Sequence, residues 1–186
     1  MKLAQAVPVD YHVFPEIPAR DALQVRIEVP LLVHLLRVPT GGRILEVGCG
    51  SGAALVELNR RLRPDRLIGA DVDLPLLREA ASRFNARDVR CDLLHADVHA
   101  LPLPTSSVDL VIDFGTCYHI REAESALREI ARVLRPGGLF VHETPAAQLL
   151  AHPVRSFGRT LPWSRVPSFV LHRAALLWSA RVRVAD

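Results

Sequence analysis

The sequence predicts an α/β fold: a doubly wound, mostly parallel sheet covered by helices on both faces. Three observations carry that expectation. Short apolar runs, too short for helices, alternate with amphipathic segments of ten or more residues. One of those runs ends in three glycines at alternate positions just ahead of a helix. The chain is also of ordinary globular make-up, with 49% apolar and 23% charged side chains in 186 residues, which is enough for one core held without cross-links.

The elements follow in order. Residues 22–37 set Leu23, Ile27, Leu31 and Leu35 on one helical stripe, with Pro30 as its kink or break. After a Pro-Thr-Gly-Gly turn, Arg43–Val47 reads as a buried strand. Ala53–Arg63 reads as the next helix, with Leu55, Leu58 and Leu62 on one face and Pro64 ending it. The alternation then predicts strand Arg66–Asp71, helix Leu74–Asn85, strands Val89–Leu94 and Val108–Asp113, helix Ala123–Leu134 and strand Leu139–Glu143. Parallel strands joined by helical crossovers account for this order. Beyond Pro145 a helical stripe of Val170, Leu171, Ala174, Leu177 and Trp178 precedes a closing strand over Arg181–Ala185. A fifth strand without a full set of neighbours has an open edge, which Arg181–Val184 or a second subunit in a homodimer is expected to cover.

Composition narrows the function classes. Cys49, Cys91 and Cys117 are odd in number and lack ligand spacing, which argues against a disulfide framework and a zinc site and favours a reducing cytoplasm. Acids and prolines interrupt the first twenty residues where a secretion signal needs an apolar run, and no eighteen-residue apolar stretch occurs. The net charge of +3 is a property of the tail: residues 151–186 hold six arginines against Asp186 alone. With Trp163, Phe169 and Trp178 among them, those arginines suit a peripheral membrane contact or RNA, or a packing helix with solvated charges, and the last is preferred; nucleic acid is not the expected partner.

The chemistry is concentrated in Ile44-Leu45-Glu46-Val47-Gly48-Cys49-Gly50-Ser51-Gly52. Glycines here let backbone approach a ligand closely, and the N–H groups of the following helix favour an anionic group. Gly48, Gly50 and Ala53 also satisfy the dinucleotide fingerprint, with Asp71 at the distance of a ribose-binding acid, so the loop alone leaves an oxidoreductase open.

Three further features resemble the class I S-adenosylmethionine-dependent methyltransferases over residues 38–144. Glu46 completes an E-x-G-x-G-x-G signature. Asp97-Val98 with Leu101-Pro102, followed by Ser107-Val108-Asp109-Leu110-Val111, is similar to the family's D-a-x-x-L-P and F-D-x-V segments, with Val108 in place of phenylalanine. Leu127–Gly138, LREIARVLRPGG, resembles the helix and turn before its fifth strand. The resemblance implies S-adenosylmethionine as cofactor in a Rossmann-like fold that is shortened at the C-terminus. It assigns the ribose hydroxyls to Asp71 with Val72 beside it, the adenine to Asp97 and the Val98 N–H, and the methionine end to Glu46, and it counts the loop residues Gly48, Cys49, Gly50 and Gly52, and Asp113, among the residues that bind the cofactor.

It also implies methyl transfer to a small organic acceptor, at oxygen or carbon, by in-line displacement. The acceptor pocket would be lined by the segment after the fourth strand, including Phe114 and Tyr118, with Tyr11 from a lid and His119 as the first candidate base. Cys117, His142 and Glu143 are weaker pocket candidates. No N/D-P-P-Y/F tetrapeptide follows that strand, and no Asp-Asn pair ends the fifth, so amine substrates and a metal lose ground. The division expected is one domain over 1–186, with 1–37 a helical lid, 38–144 the cofactor-binding core and 145–186 a short basic segment. Rival readings are an RNA-modifying or RNA-binding protein using that tail, and a catalytically inactive S-adenosylmethionine-binding protein.

Overall fold

The computed structural model describes residues 17–35, 37–117, 120, 122–142 and 182–183. Tyr11, Tyr118, His119, Glu143 and the apolar stripe at 170–178 lie outside them.

The chain opens with helix α1 (Ile17–Leu23), a π turn (Gln24–Glu28) and helix α2 (Val29–Leu35). Pro30, expected to kink or break a helix, explains the π turn. It lacks the N–H that an α-helix would aim at the Arg26 carbonyl, and its ring crowds that carbonyl. The helix widens just before it, and the Val29 N–H reaches back five residues to the Gln24 carbonyl.

Strands β1 (Arg43–Val47), β2 (Arg66–Asp71), β3 (Asp92–His95), β4 (Val108–Asp113) and β5 (Leu134–His142) pair in parallel. Helix α3 (Ala53–Leu62) joins β1 to β2, α4 (Leu74–Asn85) joins β2 to β3, and α5 (Ala123–Val133) precedes β5. With β6 (Val182–Arg183) the strand order is β3-β2-β1-β4-β5-β6. From β1 the chain winds outward through β2 and β3, then returns to set β4 on the other side of β1. This puts a topological switch point at the carboxyl ends of β1 and β4, where open α/β sheets bind ligands.

Burial on both faces fits the near-continuous apolar strands. Ile44, Leu110 and Ile112 pack with Leu32, Leu55, Leu58 and Phe84 on one side; Leu45, Val47 and Val111 pack with Ala126, Ile130 and Val133 on the other.

Two strand starts differ from expectation by several residues. β3 starts at Asp92, not Val89, because the Val89 N–H turns back to the Phe84 carbonyl at the end of α4. β5 starts at Leu134, not Leu139: Leu134 pairs with Val108, Arg135–Gly138 bulge out, and the ladder resumes where Leu139 meets Leu110. The closing strand runs antiparallel to β5, Phe140 opposite Val182 and Leu139 opposite Arg183, so the chain's own terminal segment pairs with that edge.

Candidate active site

The glycine loop leaves β1 at the switch point. A Cβ on Gly48 would lie 1.7 Å from the Thr116 hydroxyl oxygen, and one on Gly52 would lie 2.6 Å from the Phe84 ring. Those two glycines let the β4 loop and α4 close onto β1 and α3. Gly50 differs. Its φ of 52° is left-handed, and a Cβ there would meet nothing within 4 Å among the described residues, which leave open space beside its backbone.

Asp71, at the end of β2, holds this loop in place. One carboxylate oxygen accepts from the Gly50 N–H at 2.7 Å and the other from the Asp73 N–H at 2.8 Å. A carboxylate oxygen accommodates two donors, so Asp71 keeps acceptor capacity toward a neighbouring diol. Burial pushes its carboxyl up from the ordinary range, against those backbone bonds. Val72 beside it is 56% exposed.

Glu46 is 1% exposed and its Oε2 has no hydrogen-bond partner among the described residues. Burial drives its carboxyl well above the usual carboxylate range; Arg20 opposes this, while Asp71, Asp113 and Glu28 reinforce it. An acid buried this way costs stability unless a cation arrives to pair with it.

Other expected residues take more local roles. Cys49 is buried, its N–H donating to the Ala70 carbonyl and its own carbonyl accepting from the Gly52 N–H, and burial pushes its thiol up. Any ligand contact through that thiol is therefore unsupported by the geometry. Asp113 is fully buried and accepts from the N–H groups of Gly115 (3.0 Å), Thr116 (2.5 Å) and Cys117 (3.1 Å). It organises the loop after β4 from beneath. Phe114 and Cys117 turn into the two core clusters, so the Phe114 ring is part of the packing and not of an open pocket wall. Asp97 is exposed and binds the N–H and ring of its neighbour His99 at 2.9 and 2.6 Å; those bonds outweigh partial burial and hold its carboxyl below the ordinary range. Val98 is buried beside it. Cys117 shares the raised thiol of Cys49, which suits packing over nucleophilic chemistry.

Sequence reasoning missed the contribution of the first helix. Asp21 accepts from the Ser51 hydroxyl at 3.0 and 3.1 Å and from Arg83 of α4, tying α1 to the glycine loop. Arg20 donates to Glu28 on the π turn and, at 3.1 Å, to the Phe114 carbonyl. Glu28 is 6% exposed. An acid beside the apolar stripe of residues 22–37 was the signal available for it.

Together the carboxyl edge offers a buried acid with one oxygen unpaired among the described residues, an ordered acid with spare acceptor capacity, and open backbone at Gly50. That set fits a ligand with a cationic group and a hydroxyl-bearing ring, the two halves of S-adenosylmethionine.

Comparison with known proteins agrees. Residues 44–138 match the family described as "Methyltransferase domain". The chain is 37% identical over 105 residues to a probable S-adenosylmethionine-dependent methyltransferase of Mycolicibacterium smegmatis, which covers 56% of this chain and 38% of that protein. It is 33% identical over 102 residues to a fatty-acid O-methyltransferase of the same organism, covering 55% of this chain and 36% of that one. The chain thus spans well under half the length of these two relatives. Among solved structures, a SAM-dependent methyltransferase from Aquifex aeolicus has the same fold, with a TM-score of 0.62 at 18% identity over 83% of this chain and 81% of that one. With the family description matching half of its residues and the sheet wound in the same way, the chain belongs to the class I S-adenosylmethionine-dependent methyltransferases.

Proposed function

We infer that the protein transfers the methyl group of S-adenosylmethionine to a small organic acceptor, at oxygen or carbon. The observation that carries this reading is the buried Oε2 of Glu46, without a hydrogen-bond partner among the described residues, at a switch point whose loop is open among them at Gly50. When bound, the cofactor supplies a methyl carbon already made electrophilic by its sulfonium, with a neutral thioether as leaving group. The chain's own task is then to bind, orient and exclude water. Asp71 receives the ribose hydroxyls, Asp97 and the Val98 N–H face the adenine, and Glu46 provides the negative field for the cationic end. Gly50 lets the backbone approach, while Gly48 and Gly52 hold the loop's shape, as does Asp113 from below.

The acceptor side is formed by the segment after β4, with Tyr118 near the acceptor, His119 as base where the acceptor has a proton to lose, and Tyr11 from the 1–37 lid. The name of the M. smegmatis fatty-acid O-methyltransferase favours oxygen as the receiving atom. No helix of the described residues is long and apolar enough to cross a membrane. The test is calorimetry with S-adenosylhomocysteine, followed by transfer of isotope-labelled methyl to a panel of hydroxy, carboxylic and carbon acids. Binding without transfer to any acceptor would support the inactive-binder rival, and no binding by folded protein would end this reading.

A further inference from the structure

The first helix is fastened to the glycine loop through a single side chain of that loop. The buried Ser51 hydroxyl donates to the Asp21 carboxylate on α1, 3.0 and 3.1 Å from its two oxygens. Arg83 of α4 reaches the same carboxylate at 2.5 Å and Glu79 at 3.2 Å, so the Asp21 charge is balanced at a junction where its side chain is 17% exposed and that of Arg83 18%. Ala80 and Phe84, also on α4, lie against Gly52 at the other end of the loop. Three elements therefore meet here: α1, the loop after β1, and α4. Two backbone bonds of the same loop run instead to β2, from the Cys49 N–H to the Ala70 carbonyl at 3.1 Å and from the Gly50 N–H to Asp71 at 2.7 Å.

The β2 partners are part of the sheet and stay where it is. The Ser51 anchor differs, because it exists only while α1 is docked. With glycine at three of its five positions, the loop from Gly48 to Gly52 holds little shape of its own, and a lost anchor leaves more conformational freedom for a ligand to remove. Ser51 also follows Gly50 directly, and the Gly50 N–H is bonded to the carboxylate assigned to the ribose. Building on the cofactor reading above, we propose that Asp21 is a positioning residue for the cofactor: it holds Ser51, and through Ser51 the Gly50 backbone, in the shape that receives the adenosyl group. Docking of the first helix and binding of the cofactor then favour one another, and by linkage each strengthens the other by the same factor.

The test uses the full chain with S-adenosylhomocysteine as probe, read by calorimetry and by amide hydrogen exchange. Ser51→Ala removes only the hydroxyl, and Asp21→Ala removes its acceptor. Each should weaken the probe by about fivefold or more, within the ordinary range of coupling between sites, and the double variant should bind no more weakly than Asp21→Ala alone. In wild type the probe should slow exchange across residues 21–28 by a similar factor, because it draws the helix down, and in Ser51→Ala that slowing should vanish. A role in stability alone would lower the melting temperatures of the variants and leave probe affinity and the slowing as they are in wild type. Ser51→Ala, the milder change, decides the matter if Asp21→Ala does not fold. Affinity within about twofold of wild type in Ser51→Ala, additive losses in the double variant, or a slowing that survives Ser51→Ala overturns the proposal. A wild type that binds the probe without slower exchange in the helix overturns it too, with the cofactor reading intact. Only a folded wild type that fails to bind the probe overturns both together.

Discussion

Gly48, Gly50 and Gly52 alternate in the sequence yet answer to different constraints, and substitution should separate them. Gly48→Ala drives a methyl into Thr116 and, at a φ of 65°, should cost about 2 to 4 kcal/mol of stability, seen in denaturant unfolding. Gly50→Val meets no neighbour among the described residues, so it should cost only the strain of a left-handed side chain, about 1 to 2 kcal/mol, while reducing S-adenosylhomocysteine affinity by about tenfold or more in calorimetry. Equal affinity in that variant would show that the open space at Gly50 is not where ligand lies. Glu46 adds a pH signature. Its carboxyl is raised in the folded protein, so the fold binds its proton more tightly than the unfolded chain does. Stability from this group is complete below the ordinary value of 4.5 and is lost as pH rises toward the raised one. Glu46→Gln should therefore raise the melting temperature of ligand-free protein at neutral pH, flatten its decline with rising pH, and weaken S-adenosylmethionine more than S-adenosylhomocysteine, which keeps the ammonium but has lost the sulfonium charge. A variant no more stable than wild type at neutral pH would deny the buried charge. Glu46, Asp71 and Gly50 were legible because a local glycine pattern carries them. Arg20 and Asp21 were not, since they act on residues 94 and 30 positions away and depend on how a helix docks.

At the scale of elements, the alternation of apolar runs and amphipathic helices located every parallel strand, because buried parallel strands read as short continuous apolar stretches. What it could not locate were ends set by backbone bonding, as in the Val89 turn at the close of α4 and the Arg135–Gly138 bulge inside β5. The π turn is of the same kind: Pro30 signals trouble in a helix but not the way the chain resolves it. Its insertion can be removed. Deleting Gln24 should restore α-helical bonding and turn everything upstream by about 100°. Arg20 would then leave Glu28 and the Phe114 carbonyl, and Asp21 would leave Ser51 and Arg83. With a buried acid stripped of its partner, the expected loss is about 2 to 4 kcal/mol in denaturant unfolding. Retention of full stability would mean that the helix makes no net contribution through these bonds.

Among the described residues the two edges of the sheet hold their strand-end charges differently. At the amino edge the charges are paired between neighbouring strands: Arg43 at the start of β1 with Asp109 of β4, which also takes Arg135, and Arg66 of β2 with Asp92 of β3. At the carboxyl edge β2, β3, β4 and β5 end in Asp71, His95, Asp113 and His142, with Glu46 one residue short of the end of β1. On the function proposed above the ligand lies at the carboxyl edge, so a substitution at the amino edge should change stability and leave ligand binding intact. Asp109 accepts the Arg43 backbone N–H at 2.7 Å and its Nε at 2.9 Å, and the guanidinium holds the Asp109 carboxyl down to about 2. A depressed carboxyl stabilises the fold above its ordinary value of 3.8, and that contribution disappears as pH falls toward 2. Asp109→Asn should therefore cost about 1 to 2 kcal/mol at neutral pH, solvent screening having reduced the ion-pair share. The gap from wild type should shrink as the pH is lowered through 3.8 toward 2, and S-adenosylhomocysteine affinity should stay within about twofold. Thermal unfolding at neutral and acid pH, with calorimetry at neutral pH, reads all three. A gap that persists in acid would assign the loss to packing and not to charge. A fall in ligand affinity would mean that strain passes along β4 from one edge to the other, and that the two ends of the sheet do not act independently.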